Sequence, residues 1–233
     1  MWILPLCASA IALVFAVLLV RAFARRRRPF DACWALAMLM YAVASAMMAL
    51  GVQGGWTSGE FRTYWLLGAV LNVPFLAAGQ VLLLFRRRWV LPLVVVVLAF
   101  VTAYALAVVR SADLSQVALA RDLPSGKEVF GDGTPAHRLP QLIAIPAYLM
   151  LVGGTIWSAS RMRRTPEARD RFVGLVAIAG GATVIAAVGS AFAAAGSYVA
   201  FSLSLAVGIA VMFWGFLRTG RAARSVRRLA AGS

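Results

Sequence analysis

Long apolar runs alternate with short charged or Gly/Pro-containing segments along the whole chain. Seven runs have about 20 residues, the length that a helix rising 1.5 Å per residue needs to cross a bilayer core about 30 Å thick. They are residues 3–22, 32–50, 62–85, 89–109, 140–160, 172–193 and 198–217. Only Gly196-Ser197 separates the last two, but a single helix over both would be roughly 70 Å long, so we predict a hairpin. The pattern predicts an all-α fold with seven transmembrane helices.

Composition agrees with lipid as the solvent for these runs. Hydrophobic residues make up 62% and charged residues 13% of the 233, and the mean hydropathy is +0.86. Soluble domains are roughly 45–50% apolar. No basic residue precedes Arg21, so we expect the first run to be a retained span rather than a secretory signal peptide. The sequence therefore predicts a single transmembrane domain over residues 1–217 and a basic tail over residues 218–233.

The basic residues fall mainly on one side of the predicted bundle. Because connections alternate sides, 18 of the 23 Lys and Arg residues share a side, which includes the RRRR motif at Arg25 to Arg28 and the whole tail. The positive-inside rule makes this side cytoplasmic, with the N-terminus outside and the C-terminus inside. These arginines are expected to contact anionic lipid headgroups, at about 1 kcal/mol each, rather than nucleic acid, which would need a basic face on a folded soluble module. We expect a multi-pass protein of the cell membrane, the bacterial plasma membrane.

Charged side chains and histidine are missing from the interiors of all seven runs. Such residues mark proton relays and ion pathways in membranes, so those functions are disfavoured. Seven helices with an outside N-terminus resemble the rhodopsins, but the only lysine, Lys127, is in a loop and no retinal Schiff base is available. The only histidine, His137, is in the same loop, which disfavours paired-histidine haem, metalloprotease and Ser-His hydrolase sites. The sequence predicts no catalytic residue, no cofactor and no metal site.

The longest connection, residues 110–139, is rich in turn formers. Pro124-Ser125-Gly126 and Gly131-Asp132-Gly133 favour reverse turns, so we predict a solvated extracytoplasmic loop. A site facing outside and using His137 is the alternative.

The third run carries the only asparagine of the chain near its centre. Asn72 lies two residues before Pro74, whose missing N–H frees the Val70 carbonyl and is expected to kink the helix. Asn72 and Gln80 share a helix face with Gly68 and Leu76. Because an amide facing lipid would be unsatisfied, this face must turn toward other helices.

Polar residues of three other runs are predicted at the same depth in the membrane as this face. Tyr41 in the second run, Tyr148 in the fifth and Thr183 in the sixth lie near the midplane. We predict an uncharged ligand-binding pocket lined by Asn72, Gln80, Tyr41 and Tyr148. The alternative is that both amides only join helices, at about 0.6 kcal/mol each.

The order of the runs is compatible with a repeat. Runs one to three and five to seven share an orientation, and an arginine-rich connection joins the first two helices of each group, so run four would link two parallel repeats. With Asn72 and Pro140-Gln141, this 3+1+3 plan resembles the SWEET sugar facilitators, which implies passive passage of a neutral substrate. The chain departs from them where Ser202 and Ser204 replace a second asparagine.

The sequence favours a non-catalytic protein that binds, or passively transports, a small neutral or apolar molecule. A second hypothesis is a membrane subunit or regulator that acts through a protein partner, or a homo-oligomer, at the arginine-rich face. A third is an enzyme that uses the outer loop and His137.

Overall fold

The computed structural model describes residues 2–85, 87–121, 124–162 and 169–231, and within them every regular element is helical. Arg86, Arg163 and Arg164, which the sequence assigns to the arginine-rich side, lie outside the described residues. Seven helices within these described residues are long and apolar enough to cross a membrane, which confirms the predicted number. We call them spans 1 to 7: Ile3–Arg26, Pro29–Gly54, Ser58–Leu84, Val90–Ser111, Pro135–Ser158, Phe172–Phe192 and Tyr198–Arg218.

Local capping chemistry sets where several spans begin and end. Span 1 ends at Arg27, whose left-handed backbone (φ 51°) lets its N–H donate to the Phe23 carbonyl at 2.7 Å, and Pro29 then starts span 2. Span 3 begins with a capping box in which Thr57 and Glu60 satisfy each other's backbone N–H groups. Gly196, with φ 69°, turns the chain between spans 6 and 7, so the predicted hairpin is confirmed. The helix of span 7 continues without a break to Ala231.

Six of the seven spans form a closed ring, and span 4 lies outside it. The main contacts run from span 1 to 2, 3, 5, 6 and 7, and span 7 returns to span 1. Phe15 of span 1 closes the ring against Phe213 and Phe216 of span 7, with ring centroids 5.4 and 4.9 Å apart. Span 4 packs outside the ring against span 3 and the start of span 5, and most of its surface is exposed.

Spans 6 and 7 approach each other closely, through glycines. A Cβ atom on Gly181 would lie 2.5 Å from the Gly208 carbonyl oxygen, and one on Gly215 would lie 2.6 Å from the Gly174 carbonyl oxygen. Only glycine permits this backbone approach, which adds van der Waals contact that apolar side chains alone do not gain in lipid.

In the described part of the chain, three spans contain a widened, π-helical stretch. These stretches are Trp65–Leu71 in span 3, Pro140–Ala144 in span 5 and Val184–Gly189 in span 6. The first two precede Pro74 and Pro146, residues that cannot donate to the carbonyl four positions earlier. The predicted distortion of span 3 therefore lies on the N-terminal side of Pro74, and it contacts the corresponding stretch of span 5.

Residues 112–121 and 124–134 fold into a compact cap over one end of the ring. Short helices at Gln116–Leu119 and Gly126–Phe130 begin at the side-chain caps Ser115 and Ser125. Leu119, Val129 and Phe130 are buried, so the connection is more compact than the solvated loop that the sequence indicated. We call this end of the bundle the capped end and the opposite one the arginine-rich end.

Aromatic contacts fix the cap to span 3. The Phe130 ring lies 5.6 Å from the Phe61 ring and 5.7 Å from the Trp65 ring, measured between centroids. Trp65 Nε1 donates to the Ala136 carbonyl at 3.0 Å. Pro140, four residues later, has no N–H to offer that carbonyl, so the indole replaces the missing helical donor.

Arg62 joins span 4 to span 3 at the capped end. Its guanidinium donates to the Val109 carbonyl, to the Arg110 carbonyl at 2.9 Å and to the Ala112 carbonyl at 2.7 Å. The last carbonyls of a helix lack intrahelical partners and carry partial negative charge, so one guanidinium caps the C-terminus of span 4.

Candidate functional site

Asn72 hydrogen-bonds to the neighbouring span 2. Its side chain is 6% exposed, and Nδ2 donates to the Ala37 carbonyl at 2.6 Å. The amide on the predicted polar face of span 3 therefore turns inward, as expected, and it joins spans 2 and 3.

Tyr41 lies one turn from Ala37 on span 2 and crosses to span 7. It is buried, and its hydroxyl donates to the Leu205 carbonyl at 2.9 Å. Ser45 lies beside the Tyr41 hydroxyl, one turn nearer the capped end. On span 7, Ser202 is fully buried and its Oγ has no hydrogen-bond partner in the described part of the chain.

Tyr148 belongs to a different contact. Its hydroxyl donates to Thr183 Oγ1 at 3.0 Å, which links spans 5 and 6, and the Thr183 hydroxyl donates in turn to the Ala179 carbonyl at 2.9 Å. The structure thus places the Asn72 side chain of span 3 against span 2, one turn from Tyr41. It joins Tyr148 to Thr183 in a separate contact.

Gln80 is the exception among the four predicted pocket residues. It is 2% exposed, and its Nε2 is buried without a hydrogen-bond partner in the described residues. Gly154 of span 5 faces it: a Cβ there would lie 3.2 Å from Gln80 Cγ and 3.6 Å from Nε2. A buried primary amide carries two N–H donors, so this group is the least satisfied polar element of the predicted face.

Span 5 carries two further buried polar residues on the face that includes Gly154. Thr155 is 5% and Ser158 is 7% exposed, and both lie on the side of span 5 that carries Leu151 and Gly154. The Thr155 hydroxyl donates to the Leu151 carbonyl at 2.9 Å. The sequence analysis missed these two residues, although the i, i+3 and i+4 spacing of Leu151, Gly154, Thr155 and Ser158 was a readable signal for one inward-facing helix face.

Aromatic side chains contact span 3 next to Gln80 in the sequence and just beyond the end of the span. Trp34 of span 2 covers Gly79, and its Nε1 donates to the Leu76 carbonyl at 3.1 Å. Toward the arginine-rich end, Phe85 and Trp157 stack with centroids 6.2 Å apart across the seam between spans 3 and 5. We call Gln80, Gly154, Thr155 and Ser158 the Gln80 site.

Titratable groups of the cap and of the start of span 5 form a separate cluster. Lys127 Nζ lies 2.9 Å from Asp132 Oδ2, and this hydrogen bond lowers the pKa of the Asp132 carboxyl and raises the pKa of the Lys127 ammonium. His137 Nε2 is 3.8 Å from Asp132 Oδ1, and its Nδ1 is buried without a partner in the described residues. A search of those residues finds no group of three His, Cys, Asp or Glu side chains that could hold a metal ion.

No protein-family model, curated protein or solved structure matches this chain. The resemblance to the SWEET facilitators consequently rests on topology, Asn72 and Pro140-Gln141 alone, and function has to be inferred from the side chains described above.

Proposed function

We propose that this integral membrane protein binds, and passively transports, a small uncharged molecule through its helix ring, with Gln80 as the principal binding residue. The proposal rests on Gln80 Nε2, which is buried and has no hydrogen-bond partner among the residues that the structure describes. Leaving such a donor unsatisfied costs about 1–3 kcal/mol, whereas leucine at the same position would cost nothing in hydrogen bonding. A bound molecule that accepts from this amide would offset the cost.

An uncharged ligand fits the electrostatics of the ring. Apart from Asp31 at the start of span 2, the buried polar residues in the described part of the spans are neutral: Tyr41, Ser45, Asn72, Gln80, Thr155, Ser158, Ser202 and Ser204. An ion at this depth would need a counter-charge or a water-filled path. Hydroxyl and amide groups suit a neutral molecule instead.

We also propose that the arginine-rich end is cytoplasmic, that the N-terminus is outside, and that the membrane is a bacterial plasma membrane. Arg25, Arg26, Arg27 and Arg28 are all exposed at one end of the ring, where anionic headgroups would surround them. The 3+1+3 repeat plan is supported by the helix order, because spans 1 to 3 and 5 to 7 each form one half of the ring and span 4 lies outside.

The Gln80 site is tested by a thermal-shift screen of uncharged small molecules against the purified protein in lipid nanodiscs. Gln80→Leu is the test variant, and Gln141→Leu, the same change at an exposed position of span 5, is the matched control. We expect compounds that raise the Tm of the parent chain and of Gln141→Leu by several degrees and leave Gln80→Leu unshifted. Equal shifts in all three proteins would reject Gln80 as the binding residue.

A partner at the arginine-rich end is the competing function. The exposed arginines there are accounted for by headgroups, so the structure offers no observation that requires a protein partner. Recovery of one protein in stoichiometric amount with the detergent-purified chain, lost when Arg25 to Arg28 are replaced by glutamine in a chain that still inserts, would favour that function over transport.

A further inference from the structure

We infer that the molecule bound at the Gln80 site presents an uncharged hydrogen-bond acceptor, such as a carbonyl or ether oxygen, to the Gln80 amide. This inference rests on the proposed function and specifies the chemical class of its ligand. The chemical class follows from the hydrogen-bond donors near the site: two of them already donate within the protein, and the Gln80 amide does not.

Two neighbouring donors, the Thr155 hydroxyl and the Trp34 indole, are engaged within the protein. The Thr155 hydroxyl donates to the Leu151 carbonyl, and the Trp34 indole donates to the Leu76 carbonyl. Gln80 Nε2 is the donor left over among these three side chains. A ligand without an acceptor would leave it unsatisfied, so an acceptor is the one feature that the site demands.

The position of Gln80 within span 3 disfavours a charged acceptor. Gln80 lies four residues before the end of span 3 at Leu84, roughly 6 Å inside it along the helix axis. Arg87 and Arg88, the nearest described arginines along the chain, are exposed beyond that end. A buried anion without a paired cation is costly, whereas a neutral carbonyl or ether oxygen carries little desolvation penalty.

Gly154 packs directly against the Gln80 side chain. A Cβ there would lie 3.1 Å from Leu84 Cδ1 and 3.2 Å from Gln80 Cγ, so even an alanine methyl would press against the side chain that binds the ligand. Gly153, the preceding residue, has nothing within 4 Å of a Cβ built on it. The pair therefore offers a test variant and a control that differ by one position.

The inference is tested by NMR on protein labelled with ¹⁵N in the glutamine side chains and reconstituted in nanodiscs. The chain has four glutamines, Gln53, Gln80, Gln116 and Gln141, and the Gln80 resonance is identified by its loss in Gln80→Leu. The probes are two matched pairs of different size: benzophenone with diphenylmethane, and acetophenone with ethylbenzene. Each pair differs only in a carbonyl oxygen, and benzoate supplies a charged acceptor.

We expect at least one ketone to shift the Gln80 side-chain resonance saturably, about tenfold or more tightly than its hydrocarbon partner. Gly154→Ala should weaken that binding and Gly153→Ala should leave it unchanged. Equal binding of ketone and hydrocarbon, or tighter binding of benzoate, would overturn the inference and leave a pocket in place. No saturable shift with any probe would overturn the inference and the proposed function together.

Discussion

Replacing Gly181 by alanine should separate spans 6 and 7. The new methyl carbon would lie 2.5 Å from the Gly208 carbonyl oxygen, where ordinary contact begins at 3.4 Å. Met212 Cγ, also 2.5 Å away, can rotate aside, but the carbonyl belongs to the backbone of span 7. The two helices must therefore move apart by about 1 Å, which weakens every contact along the seam.

The expected cost is about 1–3 kcal/mol, the usual range for overpacking in a well-packed interior. Gly180→Ala is the control, because nothing lies within 4 Å of a Cβ on Gly180 and alanine is the better helix former by up to about 1 kcal/mol. Thermal unfolding in nanodiscs should give a lower Tm for Gly181→Ala and an unchanged or higher Tm for Gly180→Ala. Equal Tm values for the two variants would refute the close approach of these spans.

Two further predictions concern the capped end, and both are measured by hydrogen exchange. Arg62→Ala removes a charged donor from three carbonyls, and each such hydrogen bond is worth about 1.5–3 kcal/mol. Amides at the end of span 4 should therefore exchange at least tenfold faster in this variant. Arg110→Ala makes the same charge change and should not alter their exchange. Hydrogen bonds from Ser125 lower the pKa of Glu128 from its ordinary 4.5, with a smaller contribution from Arg121. The capping box is therefore intact above pH 4.5 and is lost as the pH falls through the lowered value, so the protection factors of the cap amides, taken against intrinsic exchange at each pH, should fall in acid. In Glu128→Ala, which has no side-chain acceptor for the Ser125 N–H, they should be low at every pH. Protection factors at the cap that do not change with pH would contradict the second prediction.

The spans were predictable because each obeys a local rule. A run of about 20 apolar residues has one low-energy solution in lipid, a helix that satisfies its own backbone. The inward turn of Asn72 and Gln80 followed from the same rule, since an unpaired amide cannot face lipid. Span ends shifted by a few residues because caps such as Thr57 with Glu60 extend the helices beyond the apolar runs.

Partners between distant segments were not predictable. Arg62 looked like one of five basic residues on the sparsely charged side, because nothing in the sequence places it beside the last carbonyls of span 4. The turn formers of the cap predict a solvated loop. In the structure Phe130 instead packs against Phe61, a contact that turn chemistry does not reveal. Thr155 and Ser158 were overlooked because hydroxyls on a helix often bond their own backbone, and only the approach of Gly154 to Gln80 reveals their setting.

The central claim is that seven helices cross a membrane with the arginine-rich end in the cytoplasm. Reporter fusions at both chain ends and within the cap test it directly, using a phosphatase that is active only outside the cytoplasm and a fluorescent protein that folds only within it. We predict phosphatase activity at the N-terminus and in the cap, and fluorescence at the C-terminus. Both ends in one compartment, or fluorescence in the cap, would contradict it.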